Sequence, residues 1–143
     1  MSWQSYVDSL LSPDEQTGYK PVMEAAICGI QAGQQNVWGS SPGLSNITAE
    51  EIKRLVGDRS NFSASGPVIG GRKCMLLRDQ MEDETCYALN LKTKADEQGH
   101  CYSVCVGRSH QALVIALGTK DAQGGQLVKK VYKVVKYLRD SGM

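Results

Sequence analysis

The stretch from Asp121 to Arg139 constrains the fold more than any other part of the chain. After Asp121-Ala122-Gln123-Gly124-Gly125, apolar residues recur at helical spacing. At 100° per residue, Leu127, Val128, Val131, Val134, Val135 and Leu138 cover one arc of about 120°. Lys129, Lys130, Lys133 and Lys136 lie opposite, Tyr137 falls among the lysines, and Tyr132 sits just off the apolar arc. Such a helix is stable only when its aliphatic stripe rests on a second apolar surface. Four upstream segments of strand length can supply one: Cys74–Gln80, Thr85–Lys92, Cys101–Gly107 and Gln111–Gly118. Short turn-like links separate them, which predicts an antiparallel meander. With 143 residues in all, the chain is expected to form one domain, residues 1–143.

The first half adds a helix, a buried strand and a second helix. Trp3, Val7, Leu10 and Leu11 share one side of a short helix over Trp3–Leu11, with Tyr6 at its edge. Ser12-Pro13 ends that helix, and a polar loop with Gly18 and Pro21 follows. Met23–Ile30 reads as a buried strand closed by Gly33, and Val37-Trp38 as a very short strand before the turn Ser40-Ser41-Pro42-Gly43. Thr48-Ala49-Glu50-Glu51 has capping-box form, so a helix is predicted to about Val56, stopping at Gly57. From Ser63 the apolar period changes to two.

Several function classes find little support. The formal net charge is +1, which argues against nonspecific nucleic-acid binding, although residues 72–143 carry twelve Lys/Arg against eight Asp/Glu. The start, Met1-Ser2-Trp3-Gln4, lacks the basic and apolar pattern of a signal peptide, and the longest apolar run, Ala112–Leu117, is six residues. Cys28, Cys74, Cys86, Cys101 and Cys105 are too irregularly spaced for a disulfide framework. A reducing cytosol is therefore the expected compartment, where the sequons at Asn46 and Asn61 stay unmodified. His100-Cys101 and Cys105 resemble metal ligands on paper, but two strand positions four residues apart lie roughly 13 Å from each other. No metal or cofactor is expected. No Gly-x-Ser-x-Gly elbow occurs, Gly70-Gly71 and Gly124-Gly125 lack a nucleotide fingerprint, and no enzymatic activity is expected.

The aromatic residues are more informative. Of nine, only Phe62 is a phenylalanine, and Trp3, Tyr6, Trp38 and Tyr137 stand near the termini or in short connections. Exposed aromatic clusters are costly unless they bind something. Composition alone leaves a binding platform and edge-of-core packing both open.

The motifs together resemble the profilin family, of vertebrate type, essentially end to end. They are Ser2-Trp3-Gln4-Ser5-Tyr6-Val7-Asp8, Val37-Trp38, Gly70-Gly71-Arg72-Lys73-Cys74 with Arg78-Asp79, Leu91-Lys92-Thr93-Lys94, Gly124-Gly125, and Lys136-Tyr137-Leu138-Arg139-Asp140-Ser141-Gly142. The resemblance implies an α+β fold: a central antiparallel sheet with the N- and C-terminal helices on one face and short helices on the other. It implies a non-enzymatic protein of the cytoplasm and cytoskeleton that binds monomeric actin, regulates filament assembly and links actin to proline-rich ligands. The implied polyproline groove is Trp3, Tyr6, Trp38 and Tyr137. The implied actin face holds Lys73, Arg78, Lys92, Lys94, Gly125, Lys129 and Tyr132. A phosphoinositide headgroup is the third implied ligand, at Lys92, Lys129, Lys136 and Arg139.

The chain also departs from the family pattern. Ala122-Gln123-Gly124-Gly125 replaces a usual Val-His-Gly-Gly, Val128 and Lys133 replace a common Asn and Glu, and Cys86 stands at an acidic position. Lys133 thus reverses a charge. Met143 occupies a usually aromatic terminal position, and about six extra residues lie between Leu11 and Glu24. These changes keep a second reading in view: a proline-rich-ligand or phosphoinositide-binding module with weak or lost actin binding.

Overall fold

The computed structural model describes residues 3–57, 59–62 and 64–143. Ser2 of the first motif and Ser63, where the period of two begins, lie outside the described residues. Helix α1 spans Trp3–Leu11, followed by β1 (Val22–Gly29), β2 (Val37–Ser40), a 3-10 turn (Pro42–Leu44) and α2 (Ala49–Val56). Then come β3 (Val68–Ile69), β4 (Arg72–Gln80), β5 (Ala88–Thr93), β6 (Ser103–Arg108), β7 (Ala112–Gly118) and α3 (Gly124–Asp140). The strands form one antiparallel sheet in the order β2-β1-β7-β6-β5-β4-β3.

The sheet divides two apolar layers. Alternation along β1 sends Ala26 and Cys28 to a cluster with Ile52 and Leu55 of α2 and Phe62. Ala25 and Ile27 go to the opposite cluster, with Val7 and Leu10 of α1 and Leu127, Val131, Val134, Val135 and Leu138 of α3. Both terminal helices therefore cover one face, and α2 with the 3-10 turn covers the other, as the α+β expectation states. The valine stripe finds its seat at Gly107 of β6. A Cβ there would stand 2.5 Å from Val131 Cγ1 and 2.6 Å from Val135 Cγ2, so α3 lies closer to the sheet than any side chain would permit.

Helix α1 has the expected bounds. Thr48 and Glu51 form the capping box: Thr48 Oγ1 accepts from the Glu51 N–H and Glu51 Oε1 accepts from the Thr48 N–H. Several strand ends differ by one residue, as in β1, which runs Val22–Gly29 rather than Met23–Ile30, and four larger differences have a local reason. Asp83 Oδ1 accepts from both N–H and Oγ1 of Thr85, and the Tyr87 N–H reaches the Asp83 carbonyl, so a turn consumes the predicted start of β5. Asp96 gathers the N–H groups of Gln98 and His100 in the same way, and β6 starts at Ser103 rather than Cys101. Strand β4 begins two residues early, at Arg72, because it pairs with β3, a two-residue strand the periodicity does not show. The predicted turn at Ser40-Ser41-Pro42-Gly43 is instead the end of β2 followed by the 3-10 turn.

Candidate functional site

Four aromatic rings meet on one side of the molecule. Trp3 lies at the start of α1 with its ring centroid 4.7 Å from Trp38 of β2 and 5.5 Å from Tyr6, one turn further along α1. Tyr6 lies 6.0 Å from Tyr137, near the end of α3. The planes are tilted by 41° to 49°, so the rings form a continuous chain, Trp38–Trp3–Tyr6–Tyr137, within the range of aromatic contact. The first three are half-buried, and Tyr137 is 49% exposed. Partial burial, with the Tyr137 phenol beside it, pushes the Tyr6 hydroxyl above its ordinary pKa.

Residues with no aromatic character build this surface. A Cβ on Gly29 of β1 would stand 2.2 Å from the Gln34 carbonyl oxygen and 2.4 Å from Trp38 Cζ2. The bare backbone of Gly29 is thus what lets the Trp38 ring lie down on β1. Asn36 Oδ1 accepts from Trp38 Nε1 at 3.1 Å and fixes the ring's tilt. That indole N–H is therefore occupied. The Trp3 indole N–H and the hydroxyls of Tyr6 and Tyr137 make no hydrogen bond among the described residues, which leaves three donors unpaired along the ring chain. Met143 packs on the same apolar layer as Trp3, Tyr6 and Trp38, and its carbonyl accepts from the Gln111 N–H and Ser109 Oγ, anchoring the end of the chain. Gly29 and Asn36 were missed in the sequence. The available signal was a glycine closing an apolar run and an amide two residues before a tryptophan.

A basic strip lies on the same sheet face, beyond the other flank of α3. Met75 of β4 pairs with Lys92 of β5, and Arg78 with Asn90. A bulge between Leu76 and Arg78 inserts one residue, so Arg78 shares a face with Met75 instead of opposing it. Lys94 joins this edge through its N–H to the Lys73 carbonyl. Helix α3 borders the strip: a Cβ on Gly124 would lie 4.0 Å from Asn90 Oδ1. Lys73, Arg78, Lys92, Lys94, Gly125 and Lys129 are exposed and Tyr132 is half-buried. The five basic residues of this set form no ion pair among the described residues. Met75, 42% exposed, adds an apolar patch between them.

The two remaining basic residues are engaged. Lys136 Nζ bonds Asp140 Oδ2 at 3.1 Å, which raises its pKa, both side chains being more than half exposed. Arg139 donates from Nε and Nη2 to the Arg108 carbonyl at 2.9 and 2.7 Å, and its guanidinium lies 3.4 Å from the Tyr87 ring centroid. Partial burial lowers its pKa, opposed by the Tyr87 phenol. Tyr87 itself sits at φ 49°, a left-handed backbone unusual for an aromatic residue, and its carbonyl accepts from the Arg108 N–H.

Comparison with known proteins gives one answer. The family model for Profilin matches residues 1–143. Rat profilin-2 is 37% identical over 143 residues, covering 98% of this chain and 97% of the relative. Human profilin-1 is 32% identical over 142 residues, covering 97% and 96%. Among solved structures, mouse profilin IIa in complex with a double repeat from the FH1 domain of mDia1 superposes with a TM-score of 0.88 at 36% identity, covering 100% of both chains.

Proposed function

The chain belongs to the profilin family, and from that membership we propose that it binds monomeric actin, regulates filament assembly and links actin to proline-rich ligands. The observation that carries the proposal is the four-ring chain with its half-exposed outer member, separated by α3 from the basic strip. A polyproline II segment is already extended, so its binding orders little, and its pyrrolidine rings pack on flat aromatic faces. Its carbonyls have no N–H partners within the ligand, and the free donors of Trp3, Tyr6 and Tyr137 suit them. Mouse profilin IIa is seen in complex with a double repeat from the FH1 domain of mDia1.

Actin is assigned to Lys73, Arg78, Lys92, Lys94, Gly125, Lys129 and Tyr132. Unpaired basic groups around Met75 suit an acidic partner surface, steering encounter and fixing register. The family is one of binding proteins, and the reading involves no catalysis. A phosphoinositide headgroup is assigned to Lys92, Lys129, Lys136 and Arg139. Lys92 and Lys129 are available at once, whereas Lys136 would release Asp140 and Arg139 would release the Arg108 carbonyl. The compartment that fits these partners is the cytoplasm, at the cytoskeleton. Among the described residues no helix is long and apolar enough to cross a membrane.

Retention on poly-L-proline, together with slowed spontaneous assembly of pyrene-labelled actin, is the expected result. Failure of retention by the folded protein would overturn the groove. A second reading, a proline-rich-ligand module with weak actin binding, is favoured by one observation. Residues 12–17, Tyr19 and Pro21 face Gly125, Gln126, Lys129 and Lys133 across a cleft, placing added chain beside the start of α3. Retention on poly-L-proline without any effect on actin assembly would select it.

A further inference from the structure

We propose that Ser12 is a phosphorylation site, and that the lysines of α3 receive its phosphate and fasten the 12–21 segment to that helix. The segment leaves the end of α1 and runs beside the start of α3, bounding an open cleft of about 400 Å³. Ser12, Pro13, Asp14, Glu15 and Thr17 line one side of it; Lys129, Lys130 and Lys133 line the other. Ser12 is exposed and followed by Pro13. Proline has no N–H to leave unpaired at that position, which is the feature proline-directed kinases select. From Pro13 to Lys20 every residue except Asp14 is exposed, and among the described residues three side-chain ties hold 12–20 to the body: Ser12 Oγ donates to the Ser9 carbonyl at 2.6 Å, Lys130 Nζ donates to Ser12, and Tyr19 Oη bonds Thr119 Oγ1 at 2.9 Å. To enter a kinase cleft Ser12 gives up its Lys130 contact and its Oγ bond to the Ser9 carbonyl, both at the exposed surface.

The chemistry is ordinary phosphoryl transfer. The bond from the γ-phosphorus of ATP to its bridging oxygen breaks, the bond from Ser12 Oγ to phosphorus forms, ADP leaves, and the hydroxyl proton passes to the kinase's base. What the structure adds is the receiver. Lys130 Nζ already donates to the Ser12 carbonyl and lies 3.2 Å from Ser12 Oγ, the oxygen that would carry the phosphate. Burial lowers the Lys130 pKa, and the approach of a dianion would restore it. Two features oppose the arrangement: Ser12 follows the C-terminal end of α1, and Asp14 and Glu15 are close by. Helix α1 has only nine residues, so its end opposes weakly; Asp14, whose charge is stabilised by the N–H groups of Gln16 and Thr17, remains a competing anion for Lys129 and Lys130. Three ammonium groups against two carboxylates, one in contact with the acceptor oxygen, decide in favour of the clamp. A phosphate here would cancel positive charge that includes Lys129, so actin and lipid binding would weaken. That consequence rests on the reading of the basic strip; the clamp does not.

The test uses the full-length protein in two arms. Incubation with ATP and a proline-directed kinase should phosphorylate Ser12, mapped by mass spectrometry, and Pro13→Ala should remove at least nine-tenths of the signal. No transfer to Ser12 would overturn the acceptor assignment. In the second arm phosphoserine is installed at position 12 by genetic-code expansion, and its phosphorus NMR shift is followed with pH. A free phosphoserine has its second pKa near 6. The clamped phosphate should titrate lower by about half a pH unit or more, and the Lys130→Gln/Lys133→Gln double variant should return it to the free value. Identical titration in both backgrounds would overturn the receiver.

Discussion

Replacing Gly29 by alanine tests the architecture of the aromatic face without touching any aromatic residue. Gly29 has no positive φ, so alanine suits its backbone, and by restricting the unfolded chain it should gain about 0.4–1 kcal/mol. The new methyl group, however, would lie 2.2 Å from the Gln34 carbonyl oxygen and 2.4 and 2.6 Å from Trp38 Cζ2 and Cε2. Ordinary carbon contacts begin near 3.5 Å. The ring must therefore lift by about 1 Å, and the Gln34 carbonyl is backbone that cannot rotate aside. Overpacking of this kind costs about 1–3 kcal/mol. The net destabilisation should be about 1–2 kcal/mol. With a urea m-value of about 2 kcal/mol/M, the midpoint falls by about 0.5–1 M. Lifting Trp38 also displaces it from its seat against Trp3 and deforms the ligand surface, so retention on poly-L-proline should drop while actin affinity stays within twofold. A Gly29→Ala protein with unchanged midpoint and full retention would refute the packing argument.

Trp3→Ala should abolish retention on poly-L-proline and leave actin binding near wild type; circular dichroism must show the fold intact, and retention by a folded variant counts against the groove. Ellman's reagent at pH 8 should label Cys101 first, since it is half-exposed. Burial pushes Cys28 up to about 12 and Cys74 up to about 11, and raises Cys105 further, so at pH 8 their thiolate fractions are about one in ten thousand, one in a thousand and less. These three should react only on unfolding, and their reactivity should rise with pH above 8; prompt labelling of Cys28 in the native protein would contradict the buried layer under α2. Raising salt from 0.1 to 0.5 M should weaken actin binding by shortening the Debye length, while poly-L-proline retention barely responds. The reverse pattern would place the sites on the wrong faces.

Much of this was legible because the signals were local. The spacing of Trp3, Val7, Leu10 and Leu11 sets α1, the Thr48–Glu51 reciprocity sets the start of α2, and the valine stripe sets α3. What the sequence hid were long-range events. That Trp38 lies on Gly29 is decided across the β1–β2 pair, nine residues apart, and no period reports it. Simple alternation would put Arg78 on the face opposite Met75; the bulge after Leu76 returns it to the strip with Lys92. The fate of the extra residues after Leu11 was hidden too, because their contact is with Lys130, 118 positions away.

The central claim is that the aromatic chain and the basic strip are separate sites flanking α3, able to be filled together. It is tested most directly by titrating the protein with monomeric actin in the absence and presence of saturating octaproline. The account predicts the same actin affinity, within twofold, in both titrations, with a ternary complex that sediments as one species. A tenfold or greater loss of actin affinity when octaproline is bound would contradict it, showing that the two ligands share a surface.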